Sequence, residues 1–281
     1  MKKNIDSIAF QGEKGAYQEL VCQKYFPNHK AIACKNFEEV FFKVEKNNVN
    51  IGIVPIENSY VGRVSEIHNI LRETKLFITG EYFIEINHCL ATHKNNSIKD
   101  IDTITSHPMA LMQCRKKISA FNWTEQKEVN TAIAAKKLYQ NPAKNLAVIC
   151  SKAACELYDL KILDNNFQDS NENFTHFISL ETQPKNLDKT VNAIGTIMFT
   201  LKNSNSALYN ALGVFAKSNV NITKIESYIP GGISKQADFL LSFEGNPHDN
   251  NIKVILESLQ NYTYNIKILG FYQASNVRES I

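Results

Sequence analysis

The chain is poor in every arrangement that marks metal, disulfide or covalent-nucleophile chemistry. Its six cysteines, Cys22, Cys34, Cys89, Cys114, Cys150 and Cys155, never stand in C-x-x-C spacing, and most lie inside apolar stretches. Buried, reduced thiols are the expectation, in place of a disulfide framework or redox pair. The seven histidines never fall into H-E-x-x-H spacing and no Cys/His cluster forms, so no metal is expected. A G-x-S-x-G elbow is missing. Gly12-Glu13-Lys14-Gly15 lacks the G-K-[ST] ending of a phosphate-cradling loop. No run approaches the roughly 18 uncharged apolar residues of a membrane span. The opening residues, MKKNIDSIAFQGEKG, hold no apolar stretch of signal-peptide length, so the expected location is the cytoplasm. The formal net charge is only +3, with lysines interrupted by acids. That leaves no basic stripe for nucleic acid.

What is present reads as an ordinary globular chain. Its 281 residues, 43% hydrophobic and 21% charged, suffice for two units with cores of their own. Up to about residue 180, short apolar runs alternate with helical patterns. Ser7–Phe10, Ala31–Cys34, Ile51–Val54, Thr103–Ser106 and Leu146–Ile149 read as strands. Helical spacing joins Tyr17, Leu20, Val21 and Tyr25, and again Phe37, Val40, Phe41 and Val44, the latter behind an Asn36/Glu39 capping pair. Val64, Ile67 and Leu71 mark another helix, Pro108 suits the first turn of the next, Ala132–Leu138 ends before Pro142, and Ser151 opens a short one. Strands alternating with helices imply a mainly parallel α/β sheet, and the extended stretch 77–91 suggests two lobes. The polar segment ETQPKNLDKTVN at 181–192 reads as a linker. After it come strands at 194–201, 222–229, 237–244 and 264–271, with helices between: the order βαββαβ of a ferredoxin-like unit.

Three segments are more polar than a scaffold requires, and each follows a strand, where α/β proteins place ligands. They are Pro55-Ile56-Glu57-Asn58-Ser59-Tyr60-Val61-Gly62-Arg63-Val64, Ser106-His107-Pro108-Met109-Ala110-Leu111-Met112-Gln113-Cys114, and Asn173-Phe174-Thr175-His176-Phe177. Helix N-termini after the first two would offer free N–H groups and a positive dipole end to carboxylates. Glu57, Asn58 and Ser59 are equally the residue types that cap helices. His107 beside a proline-initiated helix also reads as structural, and Thr175 between aromatics as a plain strand residue. No single segment settles the function.

Taken in order they carry more. FQGEKGAYQE, PIENSYVGRV, SHPMALMQC, NTAIAAKKL and NFTHF resemble the successive signatures of the prephenate dehydratase family, and SALYNALGVFAKSNVNITKIESY resembles its ACT regulatory domain. The resemblance implies an α/β fold: a bilobed catalytic domain like the type 2 periplasmic binding proteins over 1–181, a linker at 182–192, and a ferredoxin-like ACT domain over 193–281. It implies a lyase that converts prephenate to phenylpyruvate, carbon dioxide and water without a cofactor. No helical chorismate mutase segment precedes SIAFQG, which points to a monofunctional enzyme. The resemblance makes Thr175, Glu57 and Ser106 the catalytic candidates, and Asn58, Ser59, Arg63, His176 and Phe177 the substrate-binding ones. His176 stands where the family usually has arginine, which implies binding that weakens above about pH 7 if that side chain meets substrate. Phenylalanine is implied as an allosteric ligand at Ala207, Leu208, Asn221, Glu226 and Ser227, although Ser206 and Tyr209 depart from the usual Gly-Ala-Leu-Val, and Tyr228 and Ile229 from Glu-Ser-Arg-Pro. A homodimer or homotetramer is expected, with neither nucleic acid nor membrane as a partner. The alternatives are arogenate dehydratase and a non-catalytic phenylalanine sensor of the same fold.

Overall fold

The computed structural model describes residues 6–170, 172–228 and 236–279. They form two compact units, one of residues 1–68 with 82–177, the other of 69–81 with 178–281. The chain begins with β1 (Ser7–Gln11), α1 (Tyr17–Tyr25), β2 (Lys30–Cys34), α2 (Phe37–Glu45), β3 (Ile51–Asn58), β4 (Gly62–Arg63), α3 (Ser65–Glu73) and β5 (Phe77–Glu85). Then follow β6 (Cys89–Thr92), β7 (Thr103–Ser106), α4 (Pro108–Gln113), α5 (Arg115–Ser119), β8 (Thr124–Lys127), α6 (Thr131–Gln140), β9 (Leu146–Cys150), α7 (Lys152–Leu157), β10 (Lys161–Asp164) and β11 (Phe174–Glu181).

Two sheets result. The first runs β2-β1-β3-β11-β5, with β4 hooked onto β3. Its core joins Ile8, Phe10, Val21, Ile53, Ile84 and Phe177. The second runs β10-β6-β9-β7-β8, with one apolar cluster around Val148 and Leu138 and another around Ile149 and Leu111. Parallel pairing holds for β1 with β2 and β3, and for β7 with β8 and β9. However, β6 and β10 run antiparallel: the chain enters this sheet through an extended segment, and no crossover helix reverses it. The chain crosses between the sheets twice, at 86–88 and at 165–173. The crossings are laced together: Ile86 N donates to Asn173 O (2.7 Å), Phe167 N to His88 O (2.7 Å), and His88 N to Gln168 Oε1 (2.9 Å).

Local signals act much as their chemistry requires. Asn36 accepts from Glu39 N at 2.9 Å, while the Glu39 carboxylate reaches Lys35 N (2.7 Å), one residue short of a reciprocal box. Pro108 occupies the first turn of α4 and Ser151 caps α7 by accepting from Ala154 N. Glu57, Asn58 and Ser59 cap nothing. They end β3 and turn into β4, and α3 starts only at Ser65.

The second unit adds β12 (Ala193–Leu201), α8 (Ala207–Lys217), β13 (Ile222–Tyr228), β14 (Asp238–Glu244), α9 (Asn250–Leu259) and β15 (Thr263–Gln273). The antiparallel sheet runs β13-β14-β12-β15, the βαββαβ order, over a core of Phe199, Phe215, Phe243, Ile252 and Ile255. Ile229, expected at the end of β13, lies outside the described residues. Residues 69–81, which the sequence reading places in the first domain, group with this unit for visible reasons. Gly270 passes so close to Ile78 that a Cβ would sit 2.1 Å from its carbonyl oxygen. Lys267 Nζ meets the carbonyls of Leu71 and Arg72 where α3 ends (3.0 and 2.9 Å). The Glu81 carboxylate is gripped by both Nε and Nη2 of Arg278 at 2.6 Å.

Candidate active site

A cavity of about 530 Å³ opens in the first unit, within the range of roughly 300–1,000 Å³ typical of small-molecule sites. Both sheets line it. From the first come Gln11, Tyr17, Asn58, Arg63 and Phe177. From the second and its helices come His107, Met109, Gln113, Asn130 and Thr131. Three helix N-termini therefore reach the wall: α1 through Tyr17, α4 through His107 and Met109, and α6 through Thr131 behind its cap Asn130, which accepts from Ile133 N at 2.7 Å. Each brings the positive end of a helix dipole, and Arg63 adds a guanidinium. Such a wall suits an anion. A larger recess of about 740 Å³ between Leu90, Phe121, Ile162 and Phe167 offers less chemistry, because its lysine, Lys117, already contacts Asp164 and the Asn166 carbonyl.

At the floor, β3 and β11 lie side by side and bring Asn58 against Thr175. The Asn58 Nδ2 group donates to Thr175 Oγ1 (2.9 Å), Asn173 Oδ1 (2.8 Å) and the Phe174 carbonyl (3.1 Å). Its Oδ1 accepts from Tyr60 N and Val61 N, both at 3.0 Å. Backbone groups on both sides thus fix which way the amide faces. Since Thr175 Oγ1 accepts from Asn58 and meets no acceptor among the described residues, its own proton is available to the cavity. Burial pushes the Tyr17 phenol well above its ordinary value, with further upward pushes from the thiols of Cys150, Cys89, Cys114 and Cys155. Burial also holds the His88 and His107 imidazoles below theirs. Glu66, at the rim, is raised by burial and then by Glu38.

The candidates named from sequence divide. Thr175, Asn58, Arg63 and Phe177 line the cavity. Ser59 does not: it staples the turn to β11, donating to Glu172 O (3.1 Å) and accepting from Phe174 N (2.9 Å). Ser106 is fully buried and spends its hydroxyl on the Ile149 carbonyl at 2.6 Å. Glu57 sits opposite Arg63 in the β3–β4 register, off the lining. His176 is turned to the other face of β11 by strand alternation and stacks on Phe83, with ring centroids 4.4 Å apart and planes 12° from parallel. The structure therefore does not carry the pH-dependent substrate grip expected of His176. Sequence reasoning missed Tyr17, Gln113, Asn130 and Thr131 as individual residues. Gln113 had one available signal, a polar side chain next to the apolar stripe Leu111, Cys114, Ile118. The C-terminal candidates stand on α8 and at β13: Ala207 is buried, Leu208 exposed, and Asn221 donates to Glu244 Oε1 at 3.1 Å. Glu226 meets Lys224 (3.0 Å) and Tyr228 (2.8 Å).

Comparison with known proteins agrees with this geometry. Residues 8–185 match the family described as prephenate dehydratase. A bifunctional N-acyl-homoserine lactone acylase/prephenate dehydratase from Komagataeibacter europaeus is 34% identical over 96% of this chain and 97% of its own. The arogenate dehydratase/prephenate dehydratase 2 of Arabidopsis thaliana is 32% identical over 94% of this chain and 72% of its own. The prephenate dehydratase of Arthrobacter aurescens, solved with L-Phe, superposes with a TM-score of 0.88 at 24% identity, over 95% of this chain and 90% of that one. The chain belongs to the prephenate dehydratase family.

Proposed function

We propose that this cavity converts prephenate to phenylpyruvate, carbon dioxide and water. The observation that carries the reading is the Asn58–Thr175 contact, which aims an uncommitted hydroxyl proton into a site ringed by helix N-termini and Arg63. In the reaction the bond between ring and carboxylate breaks and its electron pair enters the ring. The 4-hydroxyl departs as water, taking up one proton that comes in the end from solvent. Aromatisation drives the step, so no cofactor or covalent intermediate is needed. Arg63 and the dipoles of α1 and α6 hold the dianion, and Thr175 donates a hydrogen bond to the oxygen on which charge develops. Phe177 and Ile86 form an apolar wall, which suits a carboxylate whose charge disperses as carbon dioxide leaves.

The proposal extends to regulation and assembly. Phenylalanine binds the βαββαβ unit near Ala207, Leu208, Asn221, Glu226 and Ser227 and inhibits turnover. β13, at an edge of its sheet, offers open backbone groups for a second copy, which supports a homodimer or homotetramer. Six free buried thiols fit a reducing cytoplasm, and no helix among the described residues is long and apolar enough to cross a membrane. As a monofunctional dehydratase, the enzyme should leave chorismate unconverted. The deciding assay follows phenylpyruvate absorbance from prephenate and, in parallel, arogenate, for wild type and Thr175→Ala, with and without phenylalanine. Turnover should fall about 10²- to 10³-fold in the variant with an unchanged fold. Equal turnover would refute the role of Thr175, and an inert wild type would refute the dehydratase reading.

A further inference from the structure

His88 belongs to none of the polar segments discussed above, yet it is 2% exposed and both ring nitrogens are engaged. It sits on the first crossing between the two sheets, immediately before β6. Its Nε2 lies 2.8 Å from Gln113 Oε1, and its Nδ1 3.0 Å from the Tyr17 hydroxyl. Gln113 Nε2 reaches Asn58 Oδ1 at 3.5 Å, the longest link of the set. Tyr17 Oη also lies 2.7 Å from the Asn87 carbonyl.

The directions of the hydrogen bonds from His88 to Thr175 follow from Asn58. Asn58 cannot turn over, because its oxygen faces two backbone N–H groups and its nitrogen faces a backbone carbonyl. Gln113 must then present its nitrogen to Asn58 and its oxygen to His88, or two oxygens would oppose each other. His88 must accordingly carry a proton on Nε2, since a bare ring nitrogen facing Gln113 Oε1 would leave two acceptors in contact. With Nε2 protonated, Nδ1 is bare and takes the single Tyr17 proton, for which the Asn87 carbonyl 2.7 Å away competes. From the histidine onward the donors run His88, Gln113, Asn58, Thr175, and the series ends on an oxygen whose own proton is free.

Resting on the dehydratase reading above, we propose that His88 is a positioning residue of the reaction: through its Nε2–H it locks the Gln113 amide, and thereby the orientation of Asn58 and of the Thr175 hydroxyl toward the leaving group. His88 touches the cavity wall beside Gln113, but its two ring nitrogens are spent on Tyr17 and Gln113, so it acts through Gln113. A histidine that merely filled space would be replaced equally well by any side chain of similar size.

Glutamine and asparagine separate the two roles. The amide nitrogen of glutamine falls where Nε2 of histidine lies, whereas that of asparagine falls where Nδ1 lies. Full-length wild type, His88→Gln, His88→Asn, His88→Leu, Gln113→Ala and the His88→Leu/Gln113→Ala pair are compared by kcat and KM for prephenate, with thermal melting as the check on folding. His88→Leu and His88→Asn should each lower kcat about tenfold or more, the worth of one buried hydrogen bond, with KM within about threefold. His88→Gln should recover kcat to within about threefold of wild type. The double variant should be no slower than Gln113→Ala alone, because the two residues act in series. If the leucine variant does not fold, the glutamine–asparagine pair still decides. Equal kcat in those two, whether high or low, or multiplicative losses in the double variant, would overturn the proposal while wild-type turnover left the dehydratase reading standing. A wild type inert toward both prephenate and arogenate would sink both.

Discussion

Replacing Asn58 by aspartate changes the direction of one hydrogen bond and almost nothing in shape. The carboxylate keeps one oxygen for the N–H groups of Tyr60 and Val61. Its other oxygen then stands where Nδ2 was, 2.8–3.1 Å from Asn173 Oδ1, Thr175 Oγ1 and the Phe174 carbonyl. Asn173 can respond by turning over, since its buried Nδ2 has no hydrogen-bond partner to lose. Thr175 responds by pointing its proton at the new carboxylate. The Phe174 carbonyl cannot respond, and facing an acceptor costs about 1–3 kcal/mol of stability. The kinetic cost is larger in consequence, because the proton that Thr175 would offer the leaving hydroxyl is now consumed. Losing one preorganised donor to a developing oxyanion is worth roughly 10²–10³ in kcat. Four donors then face the carboxylate, the N–H groups of Tyr60 and Val61, the turned Asn173 amide and the Thr175 hydroxyl, against one carbonyl, which favours the ionised form. Asn58→Asp should thus show a kcat depressed to a similar extent from pH 8 down to pH 5.5, measured by phenylpyruvate absorbance and normalised to wild type at each pH. A wild-type kcat would refute the donor-direction argument.

Stability should also report the two suppressed imidazoles. Because burial lowers the folded-state pKa of His88 and His107, neither state holds the extra protons above about pH 6.5. As pH falls through that value the unfolded chain takes up protons that the fold refuses, so stability is lost progressively down to the folded pKa. Melting temperature should drop from pH 7.5 to 5.5, and His88→Gln should flatten that slope; an unchanged slope would contradict the assignment. In the second unit, Arg278→Ala removes a two-pronged partner from the Glu81 carboxylate, whose side chain is fully buried. A loss of about 3–5 kcal/mol in denaturant titration is expected, and Glu81→Gln combined with it should restore part of that; additive losses would argue against the pair.

The strand and helix content of the chain was legible from local patterning. Phe37–Val44 and the alternation through Phe239, Leu241 and Phe243 carry periods that only one secondary structure satisfies, the short apolar run Ile51–Val54 is β-rich and too brief for a helix, and Asn36, Pro108 and Ser151 act at the helix starts they mark. The order of polar segments sufficed to suggest the family, and Thr175, Asn58, Arg63 and Phe177 as cavity residues came from that same order. What escaped depends on contacts far apart in sequence. Asn58 and Thr175 are 117 residues apart, and only the pairing of β3 with β11 makes them neighbours. The same pairing gives strand alternation its effect, sending His176 onto Phe83 and away from the cavity that Thr175 and Phe177 share. Ser106 looked like a site residue because it follows a strand, but its side chain is taken up by the neighbouring strand's Ile149 carbonyl. His88 and Tyr17 carry no local signature, and their roles arise from hydrogen-bond directions that a chain of folded partners imposes. Periodicity and capping are properties of neighbours along the chain, so sequence alone determined the strongly patterned elements and their type, while the short β4, β8 and β10 and the helix α5 carried no such pattern. Which side chains face a common space, and which atom of each donates, was decided by the tertiary packing that brings distant elements into register.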